Sequence, residues 1–293
     1  ELMQALSSRN VRCAFQFSYD GTEGWHDWLR NVDGAEADVL RAFSLCRKYR
    51  HPMSVSMCVH KGNSHTVRDS VRLLAANGVQ SVKLNAVRPA GAGKSYPEYL
   101  LSREEICRVY LDYIPQYFED NAPVDLMLDG FFEFERGSES YRMGFIRDCA
   151  AEAVGDCYVC SMTRVNCYIG ADGQVVPCMS MAGTEMGKKF PSLKDMSLKD
   201  IFNDSYLSWA GGVTIKDIAE HNPKCGSCEY LGDCSGGCRA TAVGEEDDDY
   251  LSPDEETCRF FTDGWAEKIK TVADGPFREY IERSKAQMSL QKI

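Results

Sequence analysis

Apolar residues in the first half of the chain follow two alternating periods, one typical of strands and one typical of helices. Short runs with period two predict strands over 13–19, 53–59 and 79–87. Runs with helical period predict helices over 35–49, 65–76 and from Ser102, with Glu105 completing a capping box, to about Phe118. Each strand precedes a helix, and three such pairs in succession predict parallel strands with right-handed crossovers, an α/β fold.

The beginning of the chain does not fit a complete α/β domain. The sequence opens on ELMQAL, the end of a predicted helix, and then supplies only three strand–helix units. A parallel sheet needs cover on both faces and at its edges, and three units cannot close a barrel. We therefore expect the sequence to be part of a longer chain whose earlier units are missing.

From about residue 149 the apolar periodicity gives way to turns rich in Cys, Gly and Asp. A hairpin is predicted over 166–176, with Asp172 and Gly173 at its turn. Short helices are predicted within 193–209, a longer helix over 253–272, and a separate last helix over 276–291. The pattern predicts three parts: an α/β region at 1–148, a cysteine-rich region at 149–262 and C-terminal helices at 263–293.

Composition narrows the classes of partner. The chain contains 33 Lys and Arg residues and 44 Asp and Glu residues, which gives a net charge of -11. Nucleic-acid binding depends mainly on neutralising phosphates, so an acidic chain argues against that partner. No apolar run approaches the roughly 20 residues that span a bilayer, and the first residues do not resemble a secretory signal. We expect a soluble, cytoplasmic protein with neither a nucleic-acid nor a membrane partner.

Cysteine is the most informative residue type in this sequence. Ten of the 14 cysteines lie between Cys149 and Cys258, and the four in the first half are interpreted as ordinary packed thiols. Disulfide frameworks are typical of small secreted domains, whereas this chain is large and shows no signal. The clustered cysteines therefore predict a metal centre.

The segment CGSCEYLGDCSGGC, residues 225–238, leaves two kinds of metal centre open. A Cys-x2-Cys step can place two thiolates on one ion, either zinc or a cluster iron. The second pair has three intervening residues instead of two, and the histidines lie outside the segment. Seven or eight thiolates without histidine favour two iron–sulfur clusters over zinc.

The spacing of these cysteines resembles that of the SPASM domain of radical S-adenosylmethionine enzymes. The series is Cys160, Gly173-x4-Cys178, Cys225-x2-Cys228-x5-Cys234-x3-Cys238 and Cys258. The resemblance implies two auxiliary [4Fe-4S] clusters. One would use Cys225, Cys228, Cys234 and Cys258, and the other Cys160, Cys178 and Cys238 with Cys157 as candidate fourth ligand. Cys167 is an alternative to Cys157.

The first half resembles the barrel of the same enzymes. FSYDG and WHDWLRN resemble the region of the fourth strand, and VKLNAVRPAGAG the sixth strand and its loop. The resemblance implies strands 4–6 of a partial (β/α)6 barrel, with chemistry at the carboxyl ends of the strands. Ser18 and Arg30 would contact the ribose and amino-acid parts of S-adenosylmethionine, and Asp20 would organise the turn. The alternative is a plain strand-to-helix turn with a surface arginine.

One departure from that family is large. The CxxxCxxC motif that holds the S-adenosylmethionine-cleaving [4Fe-4S] cluster is absent from this sequence. These 293 residues alone are therefore not expected to cleave S-adenosylmethionine. In the full-length enzyme the resemblance implies a third cluster, a 5′-deoxyadenosyl radical, and auxiliary clusters that handle electrons or substrate. A donor such as flavodoxin or ferredoxin would supply the electrons.

The resemblance also implies a class of substrate. SPASM enzymes mostly modify peptides and proteins, by crosslinks, thioethers, epimerisation or sulfatase maturation. Sulfatase maturases carry an Asp after the Gly-x4-Cys cysteine, where this chain has Met179, so a ribosomal-peptide maturase is favoured. Asp129, Glu133 and Glu135 could supply a base, or form a solvated face. An electron-transfer protein without the radical site and a zinc-stabilised interaction module remain alternatives.

Overall fold

A computed structural model describes residues 2–87, 95–143, 151–160, 162–182, 184–243 and 249–290. The chain divides into two compact units. The first unit comprises Glu1–Met143 together with Ala266–Ile293, and the second comprises Gly144–Trp265. The predicted loop after the third strand includes residues 88–94, which lie outside the described residues.

A single mixed sheet organises the described part of the first unit. Its strands lie in chain order across the sheet: β1 Phe15–Ser18, β2 Met53–Val59, β3 Ser81–Ala86, β4 Asp125–Leu128, β5 Phe132–Phe134 and β6 Arg142–Met143. The first four strands pair in parallel, and the last two add antiparallel. The predicted α/β class with a parallel sheet is therefore confirmed.

Helices connect the parallel strands, as the sequence predicted. They are α1 Leu2–Ser8, α2 Trp25–Arg30, α3 Ala35–Tyr49, α4 Val67–Ala76 and α5 Arg103–Glu119, with 3-10 turns at Ser64–Thr66 and Pro97–Tyr99. The predicted capping box is present: the Ser102 hydroxyl accepts from the Glu105 amide, and the Glu105 carboxylate accepts from the Ser102 amide. This reciprocal pairing satisfies two amides that the first turn of α5 would otherwise leave without partners.

The two faces of the sheet differ sharply. Along β2, the buried residues Met53, Val55, Met57 and Val59 alternate with the half-exposed Ser54, Ser56 and Cys58. Because strand side chains alternate between faces, all of the apolar residues pack on one side, where the helices lie. The other side of this parallel sheet is lined by polar side chains, whereas parallel sheets are usually apolar on both faces.

The described part of the second unit is built from short elements. The hairpin strands are β7 Tyr168–Ile169 and β8 Val175–Val176, and 3-10 turns lie at Ala151–Asp156, Met179–Met181 and Gly187–Lys189. The helices are α6 Met162–Val165, α7 Leu198–Ile201, α8 Ser205–Gly212, α9 Ile215–His221, α10 Pro223–Gly226, α11 Leu231–Cys234, α12 Arg239–Ala242 and α13 Glu255–Thr262. Its small apolar core includes Val159, Met181, Ile218 and Tyr250, with Cys157 and Cys178 packed against it.

The last helix, α14, runs without interruption from Trp265 to Leu290. The sequence analysis was wrong here, because it placed one helix over 253–272 and another over 276–291. The break lies instead after α13, at Gly264, whose φ of 71° is the left-handed conformation that ends helices. Pro276 lies inside α14 and does not end it. Proline usually breaks a helix because it removes one backbone hydrogen bond and clashes with the preceding turn.

Aromatic packing joins α14 to the sheet of the first unit. Phe277 and Tyr280 of α14 each lie within 5.8 Å, ring centre to ring centre, of both Phe118 and Phe134. Aromatic pairs in such geometry add stabilisation beyond the apolar area that they bury. This packing explains how β5, an antiparallel strand that the sequence analysis did not predict, is held between β4 and β6.

Replacing Phe134 with alanine should destabilise the first unit by about 3–5 kcal/mol, since a buried aromatic side chain is exchanged for a cavity. Phe134 is 1% exposed, whereas Phe202 is 57% exposed, so Phe202→Ala is the matched control. Urea unfolding of both variants measures the difference. Equal midpoints for the two variants would show that β5 and α14 do not form this core.

Candidate functional site: an open polar sheet face and a cysteine-rich unit

The first candidate surface is the polar face of the sheet in the first unit. It carries Gln16 and Ser18 on β1, Ser54 and Ser56 on β2, and Lys83 and Asn85 on β3. The register aligns them, since Ser18 lies opposite Ser56 and Ser56 lies opposite Lys83. The Asn85 amide donates to the Ser56 hydroxyl at 2.9 Å. Small hydroxyl side chains leave room above the strands, and that space is lined with hydrogen-bonding groups.

The carboxylates that could supply a base are engaged in ion pairs. Asp129 follows β4 on the polar face, and its Oδ1 lies 3.3 Å from Lys83 Nζ. Glu133 and Glu135 both face the guanidinium of Arg142, at 3.1 and 3.0 Å. Lys83 and Asp129 thus place one cation and one anion on the polar face. Glu133 and Glu135 stabilise the antiparallel edge of the sheet.

Asp20 lies at the carboxyl end of β1 and forms hydrogen bonds with several neighbouring elements. Its side chain is fully buried, and one carboxylate oxygen accepts from the Cys58 amide at 2.9 Å. The other accepts from Arg30 Nε at 2.8 Å and lies 3.2 Å from Nδ1 of His26. The Asp20 carbonyl accepts from the Asn63 side chain at 2.7 Å. Asp20 therefore ties the ends of β1 and β2 to α2.

The charge state of Asp20 follows from these contacts. Burial by itself raises the pKa of the Asp20 carboxyl, but bonds from His26 and the Cys58 amide, together with the positive charge of Arg30, outweigh burial. The pKa of Asp20 is consequently lowered from its ordinary value, so the group is ionised at neutral pH.

The three residues assigned to the cofactor differ in their surroundings. Ser18 is exposed on the polar face, and Arg30 holds Asp20 with one edge of its guanidinium while its side chain stays 37% exposed. Ser18 and Arg30 therefore present donors near the carboxyl end of β1 that have no acceptor among the described residues other than Asp20. Asp20 is inaccessible and occupied, which matches a role in organising the turn.

In the second unit the first predicted set of cysteines is brought together. Cys225 lies on α10, Cys228 follows it, Cys234 ends α11 and Cys258 lies on α13. Burial raises the pKa of the Cys234 thiol to about 11, the Gly236 amide lowers it, and the charges of Cys225, Cys228 and Cys258 raise it further. Burial also raises the pKa of the Cys225 thiol, and the charges of Cys258 and Cys228 act in the same direction. Two neighbouring thiols with raised pKa values suit a site where a bound metal supplies the compensating charge.

The second predicted set lies around Tyr250. Burial raises the pKa of the Tyr250 hydroxyl, and the charges of Cys160 and Cys178 act on it in the same direction. Cys238 immediately precedes the buried Arg239 on α12, whose guanidinium donates to the Tyr250 carbonyl at 2.7 Å. Cys160, Cys178 and Cys238 are therefore grouped around two neighbouring buried side chains.

The fourth ligand of the second set stays a prediction. Cys157 is in a disulfide bond in the structure, and a disulfide sulfur is not the thiolate that binds iron. Cys157 would have to be reduced before it could serve as a ligand. Cys167 is a free thiol that lines a separate cavity of about 370 Å³ with Tyr158 and Arg164.

Asp254 links the two sets of cysteines. Its buried carboxylate accepts from the Cys238 amide at 2.9 Å and from the Thr257 hydroxyl at 2.6 Å. It also caps α13 by accepting from the amides of Glu256 and Thr257, which fixes the helix that carries Cys258. One side chain that the sequence analysis missed thus fixes the backbone at a predicted ligand of each set. Its signal was a cap residue at the start of α13, after Pro253.

Glycine is required beside Asp254. Gly237 has a φ of 75°, and a Cβ there would lie 2.5 Å from the Asp254 Cβ. Gly236 also has a left-handed φ of 77°, and its amide lies 3.4 Å from the Cys234 sulfur. Amides directed at sulfur are the hydrogen bonds that tune iron–sulfur clusters.

Among the described residues, no three His, Cys, Asp or Glu side chains converge tightly enough to hold a single metal ion. A single zinc draws its sulfurs to about 2.3 Å from one point. A four-iron cluster holds its cysteines farther apart, because its own iron and sulfide atoms lie between them.

Residues 157–234 match the SPASM family, which is described as an iron–sulfur cluster-binding domain. This segment is a SPASM domain. The resemblance inferred from the cysteine spacing is thereby confirmed. The matched residues include Cys160, Cys178, Cys225, Cys228 and Cys234, while Cys238 and Cys258 follow the matched segment.

Similar proteins extend the comparison to most of the chain. The cysteine-type anaerobic sulfatase-maturating enzyme of Clostridium perfringens is 22% identical over 237 residues, which cover 79% of this chain and 60% of that protein. The chain thus spans 60% of the length of this curated relative.

Solved structures show the same fold. Native anSMEcpe with bound AdoMet and Kp18Cys peptide matches with a TM-score of 0.58 and 17% identity, over 97% of this chain and 72% of that one. Streptococcus suis SuiB bound to S-adenosylmethionine matches with a TM-score of 0.56 and 14% identity, over 88% of this chain and 62% of that one. Streptococcus suis SuiB bound to precursor peptide SuiA matches with a TM-score of 0.55 and 13% identity, over 88% of this chain and 61% of that one.

None of the helices among the described residues combines the length and the apolar character needed to cross a bilayer.

Asp20→Asn should destabilise the chain at neutral pH by about 2 kcal/mol, since charge-assisted bonds to a buried acceptor are lost. The folded-state pKa of Asp20 is lowered, so its contribution is present above the unfolded pKa and disappears as pH falls through the folded pKa. Denaturant unfolding at neutral and acid pH measures this loss. Asp38→Asn, in an exposed ion pair with Arg41, is the control and should change stability little. A pH-independent effect of Asp20→Asn would contradict the assignment.

Gly237→Ala should lower the iron bound after anaerobic reconstitution, because strain of about 1–3 kcal/mol at a left-handed position displaces Asp254 and Cys238. Gly212→Ala is the control, since a Cβ at Gly212 meets nothing within 4 Å. Iron and sulfide per chain are measured for both variants. Unchanged iron in Gly237→Ala would mean that this loop does not position a ligand.

Proposed function

We propose that the chain belongs to a radical S-adenosylmethionine enzyme that modifies a peptide or protein, and that it carries two auxiliary [4Fe-4S] clusters. The observation that supports the proposal best is the grouping of Cys225, Cys228 and Cys234, within the segment that matches the SPASM family, with Cys258, which follows that segment. Iron–sulfur clusters in such a domain would accept electrons or bind substrate, and the protein would position and shield the reaction.

The ligand sets proposed are those predicted from the sequence. The first cluster would be held by Cys225, Cys228, Cys234 and Cys258. The second would be held by Cys160, Cys178 and Cys238, with Cys157 in its reduced form as the fourth ligand. Support comes from the shared electrostatic environment within each set and from the Asp254 carboxylate, which fixes the backbone next to Cys238 and the helix of Cys258.

The polar face of the sheet is the proposed site for S-adenosylmethionine and substrate. Ser18 and Arg30 would bind the ribose and amino-acid parts of the cofactor, and Asp20 would hold Arg30 in place. The Lys83–Asp129 pair lies on the same face and would orient polar substrate groups. AdoMet and peptides occur in the similar structures of anSMEcpe and SuiB, which supports a peptide substrate here.

The type of modification separates two candidates. The C. perfringens relative is a sulfatase-maturating enzyme, which favours sulfatase maturation as the second candidate. In this chain, however, Met179 follows Cys178 and is 66% exposed, so no carboxylate stands at the position of the maturase base. We therefore favour a maturase of a ribosomally made peptide, which forms a crosslink or thioether or epimerises a residue. A flavodoxin or ferredoxin would supply electrons.

Metal analysis of the chain, purified and reconstituted without oxygen, tests the proposal. We expect about eight iron atoms with matching sulfide, as two four-iron clusters require. Cys234→Ser and Cys178→Ser should each lose about half of the iron, because each removes a ligand of one cluster. Cys13→Ser is the matched control and should retain all of it.

Other results would identify the alternatives. About one or two zinc ions without sulfide would overturn the cluster proposal in favour of a zinc-stabilised module. Full iron in the chain, but no S-adenosylmethionine cleavage by the complete protein from its source, would favour an electron-transfer protein.

A further inference from the structure

Arg239 is a buried cation between the two sets of cysteines. It follows Cys238, begins α12 and is 2% exposed. One terminal nitrogen donates to the carbonyls of Tyr250 and Ser252, both at 2.7 Å, and the other donates to the Gly236 carbonyl. Its Nε is buried and has no hydrogen-bond partner within the described part of the chain.

Among the described residues, the hydrogen-bond acceptors of this guanidinium are all neutral carbonyls. A buried charge is costly unless an opposite charge compensates it. The buried Asp254 carboxylate acts on Arg239 through its charge and compensates part of it. Arginine remains protonated in proteins, so its positive charge is permanent. The carbonyls hold the side chain in place without neutralising it.

Thiols of both sets lie around Arg239. Cys238, of the second set, is its neighbour in sequence, and Gly236, which accepts from Arg239, directs its amide at the Cys234 sulfur of the first set. Tyr250, which also holds Arg239, is acted on by the charges of Cys160 and Cys178. Clusters bound by these thiolates would add further negative charge close to Arg239.

We propose that Arg239 is an electrostatic positioning residue that raises the reduction potential of the auxiliary clusters. This inference rests on the proposed function, because it requires the two clusters. Reduction adds one negative charge to a cluster, and a fixed guanidinium in a buried site stabilises that charge strongly. Charge, burial and hydrogen bonds to sulfur are the protein's means of setting such potentials. The unused Nε donor is available to a cluster sulfur.

The test measures potentials as well as metal content. The chain is reconstituted anaerobically, and the reduction potentials are determined by EPR-monitored titration in wild type, Arg239→Gln and Arg239→Lys. Glutamine removes the charge and can still donate to a carbonyl, whereas lysine keeps the charge. Arg239→Gln should lower the reduction potential of at least one cluster by about 59 mV. For a one-electron reduction this corresponds to a tenfold change in the ratio of oxidised to reduced cluster. Arg239→Lys should change it less.

A matched control distinguishes the effect of a buried positive charge from that of an exposed positive charge beside the same cysteines. Lys224 also lies beside cluster cysteines, but it is 60% exposed and pairs with Glu255 at 3.1 Å. Because water screens its charge, Lys224→Met should change the ratio less than twofold. Asp254→Asn removes a buried negative charge and should shift the potential in the opposite direction to Arg239→Gln.

A second pair of variants tests the same inference if Arg239→Gln fails to fold. The double variant Arg239→Gln with Asp254→Asn neutralises both buried charges together, which proteins tolerate better than an unpaired charge. Compared with Asp254→Asn alone, it isolates the charge of Arg239.

The outcomes distinguish this inference from the proposed function. Potentials that match wild type in an iron-replete Arg239→Gln variant, or an equal shift in Lys224→Met, would overturn the role of Arg239. Wild-type chain without iron and sulfide would overturn the proposed function itself.

Discussion

The candidate site of the second unit depends on one buried carboxylate, that of Asp254. It fixes the amide of Cys238 on one side and begins the helix that carries Cys258 on the other. The backbone at Gly236 and Gly237 turns in left-handed conformations to make this contact possible, and the Asp254 amide donates to the Gly236 carbonyl at 3.1 Å. The Asp254 carboxylate thus connects two cysteines that are far apart in sequence.

The chemistry of the thiols explains why so little apolar material is needed around them. Burial and mutual repulsion keep a thiol such as Cys234 protonated, with a pKa of about 11. Metal binding releases those protons, and the free energy of binding then stabilises the fold. Short helices such as α10, α11 and α12 bury few apolar side chains, so metal–thiolate bonds would replace much of the usual core.

The first unit is stabilised differently. Its sheet buries one apolar face under helices and extends the core through the aromatic contacts of Phe118 and Phe134 with α14. The other face carries small polar side chains, and Asp20 holds the carboxyl ends of β1 and β2 together beneath it. A rigid, apolar side supports a polar, accessible side, which suits binding of a polar cofactor and a peptide.

The sequence by itself determined the strand–helix alternation, the capping box at Ser102 and the identity of the SPASM domain, because local periodicity and cysteine spacing encode these features directly. It did not reveal β4 to β6 or the unbroken α14, since short strands and a proline-containing helix are stabilised by distant aromatic residues. Only the tertiary structure placed Asp20 in a buried hub, Asp254 between two cysteine sets and Arg239 among neutral acceptors. Burial and long-range hydrogen bonds decide those roles, and neither can be predicted from local sequence patterns.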